Sequence, residues 1–368
     1  MKDTQAPAGG GAVADTPQPR RLTDSQVFRR RRIARISLFV FLIVLVFAAF
    51  VLSMMIGQYP IPLNQIFPIL FQGPPGTDTF GNQSVMWNIR LPRIVLGLVV
   101  GAALGVAGAL MQAVFANPLA EPSVIGVTSG AGVGAAVVIV FGWSFLGTST
   151  VPFAAFITAV LTTVMVYQLA RFDGQVHVIN LILTGIAINA VCGAIISLLV
   201  YVAPATSREQ IIFWQMGSLN GALWKQVVVV TPIIAAGMVV AIILGGALDI
   251  LALGDKAAAH IGVNVAFVRI AAIAASTLLT AGAVAYAGLI GFVGLIIPHL
   301  LRSITGPANK ILIPASALAG AALIGLADIA ARTLISFADL PIGIFTAAVG
   351  GPTFFILLRR MLRKGRKG

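Results

Sequence analysis

Asn117-Pro118-Leu119-Ala120-Glu121-Pro122 is the stretch on which the fold turns. Before it runs Gly97 to Phe115, with Gly97, Gly101, Gly105 and Gly108 at three- or four-residue spacing. After it runs Val124 to Phe141, carrying Gly126, Gly130, Gly132 and Gly134. Proline lacks an N–H and clashes with the preceding turn, so two prolines and an acid cannot continue an apolar helix. Glycines at helical spacing lay one smooth face along each segment and let neighbouring backbones approach closely. The hexapeptide therefore joins two tightly packed membrane helices, around something that must move.

Composition places the rest of the chain in the same solvent. Of 368 residues, 58% are hydrophobic and 10% charged, whereas a soluble domain carries about 25% charge. Mean hydropathy is +1.00. The single cysteine, Cys192, lies in an apolar run and excludes an intrachain disulfide. The formal net charge of +13 sits at the two ends rather than in a nucleic-acid-binding patch. Arg20, Arg21, Arg29, Arg30, Arg31, Arg32 and Arg35 precede the first apolar run; Arg359, Arg360, Arg363, Lys364, Arg366 and Lys367 follow the last. The positive-inside rule then puts both termini in the cytoplasm and makes the number of spans even. Residues up to about Pro19 are rich in Ala, Gly, Pro and Thr and read as disordered. The first apolar run starts late and lacks a cleavage site, which argues against a signal peptide. The expected organisation is a disordered basic tail at 1–33, a transmembrane domain at 34–360 and a second basic tail at 361–368.

A crossing helix needs about 20 apolar residues. Candidate spans fall at 34–57, 92–115, 122–142, 151–170, 177–201, 226–247, 267–286, 288–305, 311–331 and 341–358. The stretch 267–305 is ambiguous, because Gly288, Gly291, Gly294 and Pro298 fit a broken helix equally well. On this topology Trp87, Trp143, Trp214 and Trp224 all fall near the outer surface, as an aromatic belt requires. Arg90, Arg93, Arg208, Lys225 and Arg332 break the inward preference of basic residues. They either snorkel to headgroups or form an outward cationic rim for an acidic partner. None of the eleven acids falls at the centre of a span. That argues against an ion-coupled secondary transporter, which usually needs ionisable groups near the midplane. A membrane enzyme would need clustered His, Asp or Glu in one leaflet, and none shows. No GxxxxGK[ST] phosphate loop occurs, so any ATP that drives the chain is hydrolysed elsewhere.

Several motifs carry a resemblance. They are Trp87-Asn88-Ile89-Arg90-Leu91-Pro92-Arg93, Gly108-Ala109-Leu110-Met111-Gln112, the 117–122 hexapeptide with Gly126, and Phe213-Trp214-Gln215-Met216-Gly217-Ser218-Leu219. Leu253-Gly254-Asp255, Ile261-Gly262-Val263, Gly291-Phe292-Val293-Gly294-Leu295 with Pro298-His299, Ala327-Asp328-Ile329-Ala330-Ala331-Arg332 and Leu340-Pro341-Ile342-Gly343 follow in order. Together they resemble, over about residues 35–360, the FecCD-type permeases of bacterial ABC importers for iron-siderophores, heme and cobalamin. The arginine-rich start is a departure from many relatives.

The resemblance implies an all-α integral membrane protein of about ten transmembrane helices with the type II ABC importer permease fold. It implies a second copy of the permease, two cytoplasmic ATPase subunits that hold ATP and Mg, and an extracytoplasmic solute-binding protein. The chain itself would bind no cofactor or metal, perform no catalysis and contact lipid but not nucleic acid. It would sit in the cytoplasmic membrane of a bacterium. Arg90, Arg93 and Arg332 would dock carboxylates of the binding protein, for which a planar guanidinium is suited; the alternatives are lipid phosphate, or an Arg332–Asp328 pair. Leu253, Gly254, Asp255, Ala258, His260, Ile261 and Gly262 would form a short helix seated in the ATPase. Asp255 suits its start and Gly262 its end. Gln112, Asn117 and Glu121 would form or cap an inner gate, and Trp214 and Met216 would lie in a short outer helix, 214–219, at the mouth. His177, His260 and His299, and the scattered methionines, read as structural. The expected cargo is heme, with a ferric siderophore next and cobalamin third.

Overall fold

The computed structural model describes residues 24–59, 61–76, 81–172, 175–335 and 338–365. Residues 1–23 and 366–368 of the expected tails, with Asp3, Asp15, Asp78 and Asp173, lie outside the described residues.

Helix α1 (Asp24–Met55) is followed by α2 (Leu63–Gln72). A short α3 (Asn82–Ser84) passes through a π-helical turn, Val85–Arg90, into α4 (Leu91–Val114). A 3₁₀ turn, Pro122–Ile125, leads to α5 (Val127–Phe141), then α6 (Thr150–Leu169). Two-residue strands β1 (Arg171–Phe172) and β2 (Gln175–Val176) pair antiparallel, Arg171 opposite Val176. They are followed by α7 (Val178–Val202), α8 (Ala205–Met216), α9 (Trp224–Leu251) and the short α10 (Asp255–His260). The chain ends with α11 (Val265–Ala287), α12 (Val293–Thr305), α13 (Asn309–Thr333) and α14 (Ile342–Gly365). Among the described residues seven helices are long and apolar enough to cross a membrane, and α5, α12 and the apolar part of α14 are three shorter ones.

The post of the bundle is α4. Of its most apolar window 78% is buried, against 22% for α1 and 17% for α7. Its glycines explain this enclosure. A methyl group at Gly101 or Gly105 would overlap the carbonyls of Gly320 or Ser316 on α13, and one at Gly108 would overlap Gly294 on α12. Side chains at these positions would push the helices apart and forfeit the packing that holds membrane helices together. In the same way Gly130 and Gly134 let α5 lie against Thr158 and Thr162 of α6.

Three local expectations change, and the ambiguity over 267–305 is resolved. The 122–142 span is split: Gly126 adopts a left-handed φ of 82° between the 3₁₀ turn and α5. The 267–305 stretch breaks at 288–292, ending with Phe292 at φ 67°. Residues 217–219 are not helical: α8 stops at Met216, where Gly217 turns left-handed at φ 71° and Ser218 N–H donates to the Ala287 carbonyl at 2.8 Å. Finally, α1 begins at Asp24, inside the stretch expected to be disordered. Its arginines are good helix formers and prolong the apolar helix, as 361–365 prolong α14.

The bundle has two distinct ends. The end of α1, the start of α4 and the end of α13 meet at one, through Ser53, Arg93, Asp328 and Arg332. The start of α14 joins it through Ile342 N–H, which donates to the Gly217 carbonyl at 2.9 Å. The 117–122 hexapeptide, α10 and the start of α13 lie at the other. Since α1 runs toward the first end and α14 away from it, the basic residues described at the start of α1 and at the end of α14 belong to the α10 end.

Candidate functional site

At the first end five charged side chains form an internal network. Arg93 Nε donates to Asp328 Oδ1 at 2.9 Å and its Nη1 donates to Asp339 Oδ2 at 2.9 Å. Arg332 Nε stands 3.6 Å from Asp328 Oδ2, one helical turn along α13, and its Nη2 donates to the Ser53 carbonyl at 2.7 Å and to the Ser53 hydroxyl. Arg90 donates to the carbonyls of Met54 and Tyr59. Arg90, Arg93 and Arg332 are 4, 7 and 5% exposed, so they do not form an open rim. The π-helical turn and Pro92 set Arg90 and Arg93 at the top of the central helix, where α1 and α13 supply partners. Buried charges persist only when paired and hydrogen-bonded; here two carboxylates and three backbone carbonyls supply the partners, while Asp328 Oδ2 and Arg332 Nε face each other without a hydrogen bond. The Arg332–Asp328 pairing is the internal alternative the sequence offered. The other two outlying cations, Arg208 and Lys225, are exposed.

Beside this network the 213–219 motif is tied down through its backbone. The Trp214 carbonyl accepts Leu289 N–H at 3.4 Å and the Gly217 carbonyl accepts Ile342 N–H at 2.9 Å. A side chain at Gly343 would overlap the Met216 carbonyl, and one at Gly288 the Trp214 carbonyl. Trp214 and Met216 are half-buried in this knot.

The three polar residues at the α10 end serve local geometry. Gln112 Nε2 donates to the Leu295 carbonyl at 3.0 Å, bridging α4 to α12. Asn117 Oδ1 accepts Leu119 N–H at 2.9 Å, which closes a turn around Pro118. Glu121 Oε1 accepts the Ser123 hydroxyl at 2.5 Å. One polar residue the sequence reading passed over is Asn189, in the middle of α7. Its Nδ2 donates to the Ser123 carbonyl at 3.0 Å and its Oδ1 accepts the Ser129 hydroxyl at 2.5 Å. An asparagine inside an apolar run was itself the signal, since such residues usually face a neighbouring helix.

The most open feature of that end is α10. Gly254 at φ 102° precedes it and Gly262 at φ 90° follows. Both need conformations that L side chains avoid. The buried Ala258 fastens the helix to the bundle, and Asp255 accepts two contacts from Arg269 Nη2 on α11, at 3.0 and 3.1 Å. On either side Leu253 and Ile261 are 67 and 62% exposed. Among the described residues no three His, Cys, Asp or Glu side chains group to hold a metal.

A bundle of this size, with seven helices long and apolar enough to cross a membrane among the described residues and threaded by backbone-tight glycine contacts, is that of a multi-pass membrane protein. Residues 43–360 match the FecCD transport family, and the chain belongs to it. It is therefore a permease subunit of an ABC importer. It is 39% identical to the hemin transport system permease protein HmuU of Yersinia pestis, over 77% of this chain and 86% of that one. It is 38% identical to the uncharacterized ABC transporter permease protein YvrB of Bacillus subtilis, over 86% and 91%. It is also 39% identical to the cobalamin import system permease protein BtuC of Halobacterium salinarum, over 75% and 74%. A solved structure of a metal-chelate type ABC transporter in an inward-facing conformation superposes with a TM-score of 0.78 at 34% identity, covering 88% of this chain and 98% of that one.

Proposed function

We propose that the chain is the membrane half of an importer for heme. A second copy completes the pathway, separate ATPase subunits grip the α10 end, and a solute-binding protein delivers cargo to the Arg93 end. The observation that carries the orientation is the charge: the basic start of α1 and the basic end of α14 belong to the α10 end, and basic flanks face the cytoplasm. The exposed Leu253 and Ile261 beside a rigidly anchored short helix support the seat for the ATPase. Apolar side chains left in water on both sides of one helix gain about 1.5–3 kcal/mol each when a partner buries them. Nucleotide-driven closure would move α10, and Ala258 and the Asp255–Arg269 pair pass that movement to α11.

On the other face, the exposed Arg208 and Lys225 supply the attraction for an acidic binding protein. The Arg90, Arg93 and Arg332 network holds the surface beneath them in one shape. A carboxylate of the binding protein that reached Arg93 would have to displace Asp339.

For heme, support comes from the hemin permease among the relatives and from the 213–219 motif at the mouth. Relatives named for cobalamin and a structure named for a metal chelate favour a second reading, another bulky chelate on the same scaffold. The test is the complete complex in liposomes with its binding protein. Heme should stimulate ATP hydrolysis and appear in the lumen; stimulation by a ferric siderophore or by cobalamin, with none by heme, would reverse the choice of cargo.

A further inference from the structure

Helix α2 has no part in the importer's machinery, and its surface divides into three. Ile66 and Ile69 are buried in a cluster with Met54, Met86 and Ile94. Leu63, Phe67 and Phe71, spaced four apart, are 48, 62 and 89% exposed. Asn64, Gln65, Pro68 and Gln72 are exposed as well. At about 100° per residue, the apolar strip 63–67–71 spans roughly 80° and lies between the buried side and a polar side of about 100°. A helix with only water beyond the bundle would be polar over everything the bundle leaves bare. A helix lying flat at the edge of a bilayer meets protein, hydrocarbon and water on three flanks, and an apolar strip between the other two is what it needs. Charge, continuity and depth each set hydrocarbon against this strip. Between Arg35 and Asp78 the sequence carries no charged residue, although α1 ends at Met55, so nothing in the stretch after the span draws it into water. Leu52 and Ile56 at the end of α1, and Tyr59 after it, are also exposed. The bare apolar side of a span only 22% buried thus runs on into α2. Trp87 Nε1 donates to the Ile69 carbonyl at 3.1 Å, which ties α2 to an indole, a side chain enriched where membrane meets water.

We propose that α2 is an interfacial helix, lying in the plane of the leaflet at the Arg93 end with Leu63, Phe67 and Phe71 inserted among the acyl chains next to the headgroups. The inference rests on α1 crossing the bilayer, and not on the cargo, the ATPase or which leaflet this is. It also gives the membrane a hold on the charged network. Arg90 donates to the Tyr59 carbonyl, four residues before the strip begins, so a bilayer that grips α2 steadies the segment that supplies this partner.

The test uses the full chain assembled with its ATPase subunits in phosphatidylcholine nanodiscs, with Cys192, the chain's one cysteine, replaced by alanine. The single variants Phe71→Cys, Phe67→Cys and Gln72→Cys each carry a nitroxide label. Power saturation then compares the label's exposure to oxygen, which concentrates in the bilayer, with its exposure to a water-soluble nickel chelate. Labels at 71 and 67 should favour oxygen and lie about 5–10 Å into the headgroup–acyl boundary. The label at 72, on the polar side, should favour nickel. Phe71 is 89% exposed, so its replacement leaves the packing intact and decides the matter alone should Phe67→Cys fail to assemble. A label at 71 that stays accessible to nickel would put the strip in water and overturn the proposal. So would a label shielded from both reagents, which would give the strip to a second copy of the chain. A nickel-accessible label that becomes shielded when the binding protein is added would overturn it too, and give the strip to that partner. None of these readings changes with the cargo, so an incorrect cargo assignment would leave the result standing.

Discussion

Arg93 shows how much one residue's role depends on partners far away in the chain. Its two aspartates lie 235 and 246 residues further on. Local sequence marked it as a basic residue on the wrong side of the membrane, but nothing within a helical turn revealed those partners or its burial. Arg332 was more legible, because Asp328 stands four residues before it on the same helix face. Removing one member of a buried pair strands the other. Asp328→Ala, which leaves both Arg93 and Arg332 short of a counter-charge, should therefore cost about 3–5 kcal/mol, read as a lower melting temperature of the permease in nanodiscs. Arg93→Met combined with Asp328→Leu should recover only part of that loss, since apolar replacement relieves that pair but leaves Arg332 and Asp339 without their partners. If the single variant melts with the wild type, the network is not a fastening. The glycines give a second contrast. Gly101→Ala drives a methyl into the Gly320 carbonyl, whereas Gly193 has open space around it. The first should destabilise by about 1–3 kcal/mol through overpacking. Gly193→Ala in the single permease chain should be neutral or gain about 0.5–1 kcal/mol from helix propensity. Parallel thermal melts of the two variants check the pair.

Among the elements, α10 was the most legible and the break at 288–292 the least. A short alanine-rich stretch between Gly254 and Gly262 has its limits written into it, because left-handed glycines stop a helix on each side. The 267–305 stretch has no such local answer: glycines and a proline permit either a broken helix or two helices. The outcome is decided by distant backbone. Gly294 must sit against Gly108 of α4, and Leu289 must meet the Trp214 carbonyl, which a continuous helix cannot provide. The same logic ended α8 at Met216, three residues short of the expected Leu219. For α10 the exposed flanks carry a prediction about assembly. Leu253→Asp and Ile261→Asp each remove an apolar contact worth about 1.5–3 kcal/mol and put a charge in its place. The ATPase should co-purify with either variant at least about tenfold less well, while melting of the permease alone is unchanged. Undiminished co-purification would mean that the ATPase seats elsewhere.

At the scale of the molecule, charge and hydropathy read the architecture and left the cargo open. The basic start of α1 and the basic end of α14 fall at one end of the bundle, as an even number of crossings demands, and among the described residues the candidate spans recur as seven long and three shorter apolar helices. Cargo leaves a fainter mark, because many of the motif residues serve helix packing, turns and the fastening of the Arg93 end. What the sequence could not sort was its five outlying cations, since a basic residue beyond a span looks the same whether it turns inward or outward. The structure divides them: Arg90, Arg93 and Arg332 are consumed within the bundle, and Arg208 and Lys225 remain exposed. Encounter with an acidic binding protein should depend on the second group, because rim charges steer association while buried ones hold shape. Arg208→Glu combined with Lys225→Glu should slow association with the binding protein about three- to tenfold at low salt. The difference should fade once added salt shortens the Debye length to about 8–10 Å. Conservative Arg93→Lys should instead lower the melting temperature, because an ammonium cannot hold Asp328 and Asp339 in one planar fork, and leave the salt dependence of binding as in the wild type. Surface plasmon resonance over a salt series separates the two. If Arg93→Lys flattens that salt dependence and the double reversal does not, the buried arginines are themselves the docking contacts, and binding must begin by prising Asp339 away from them.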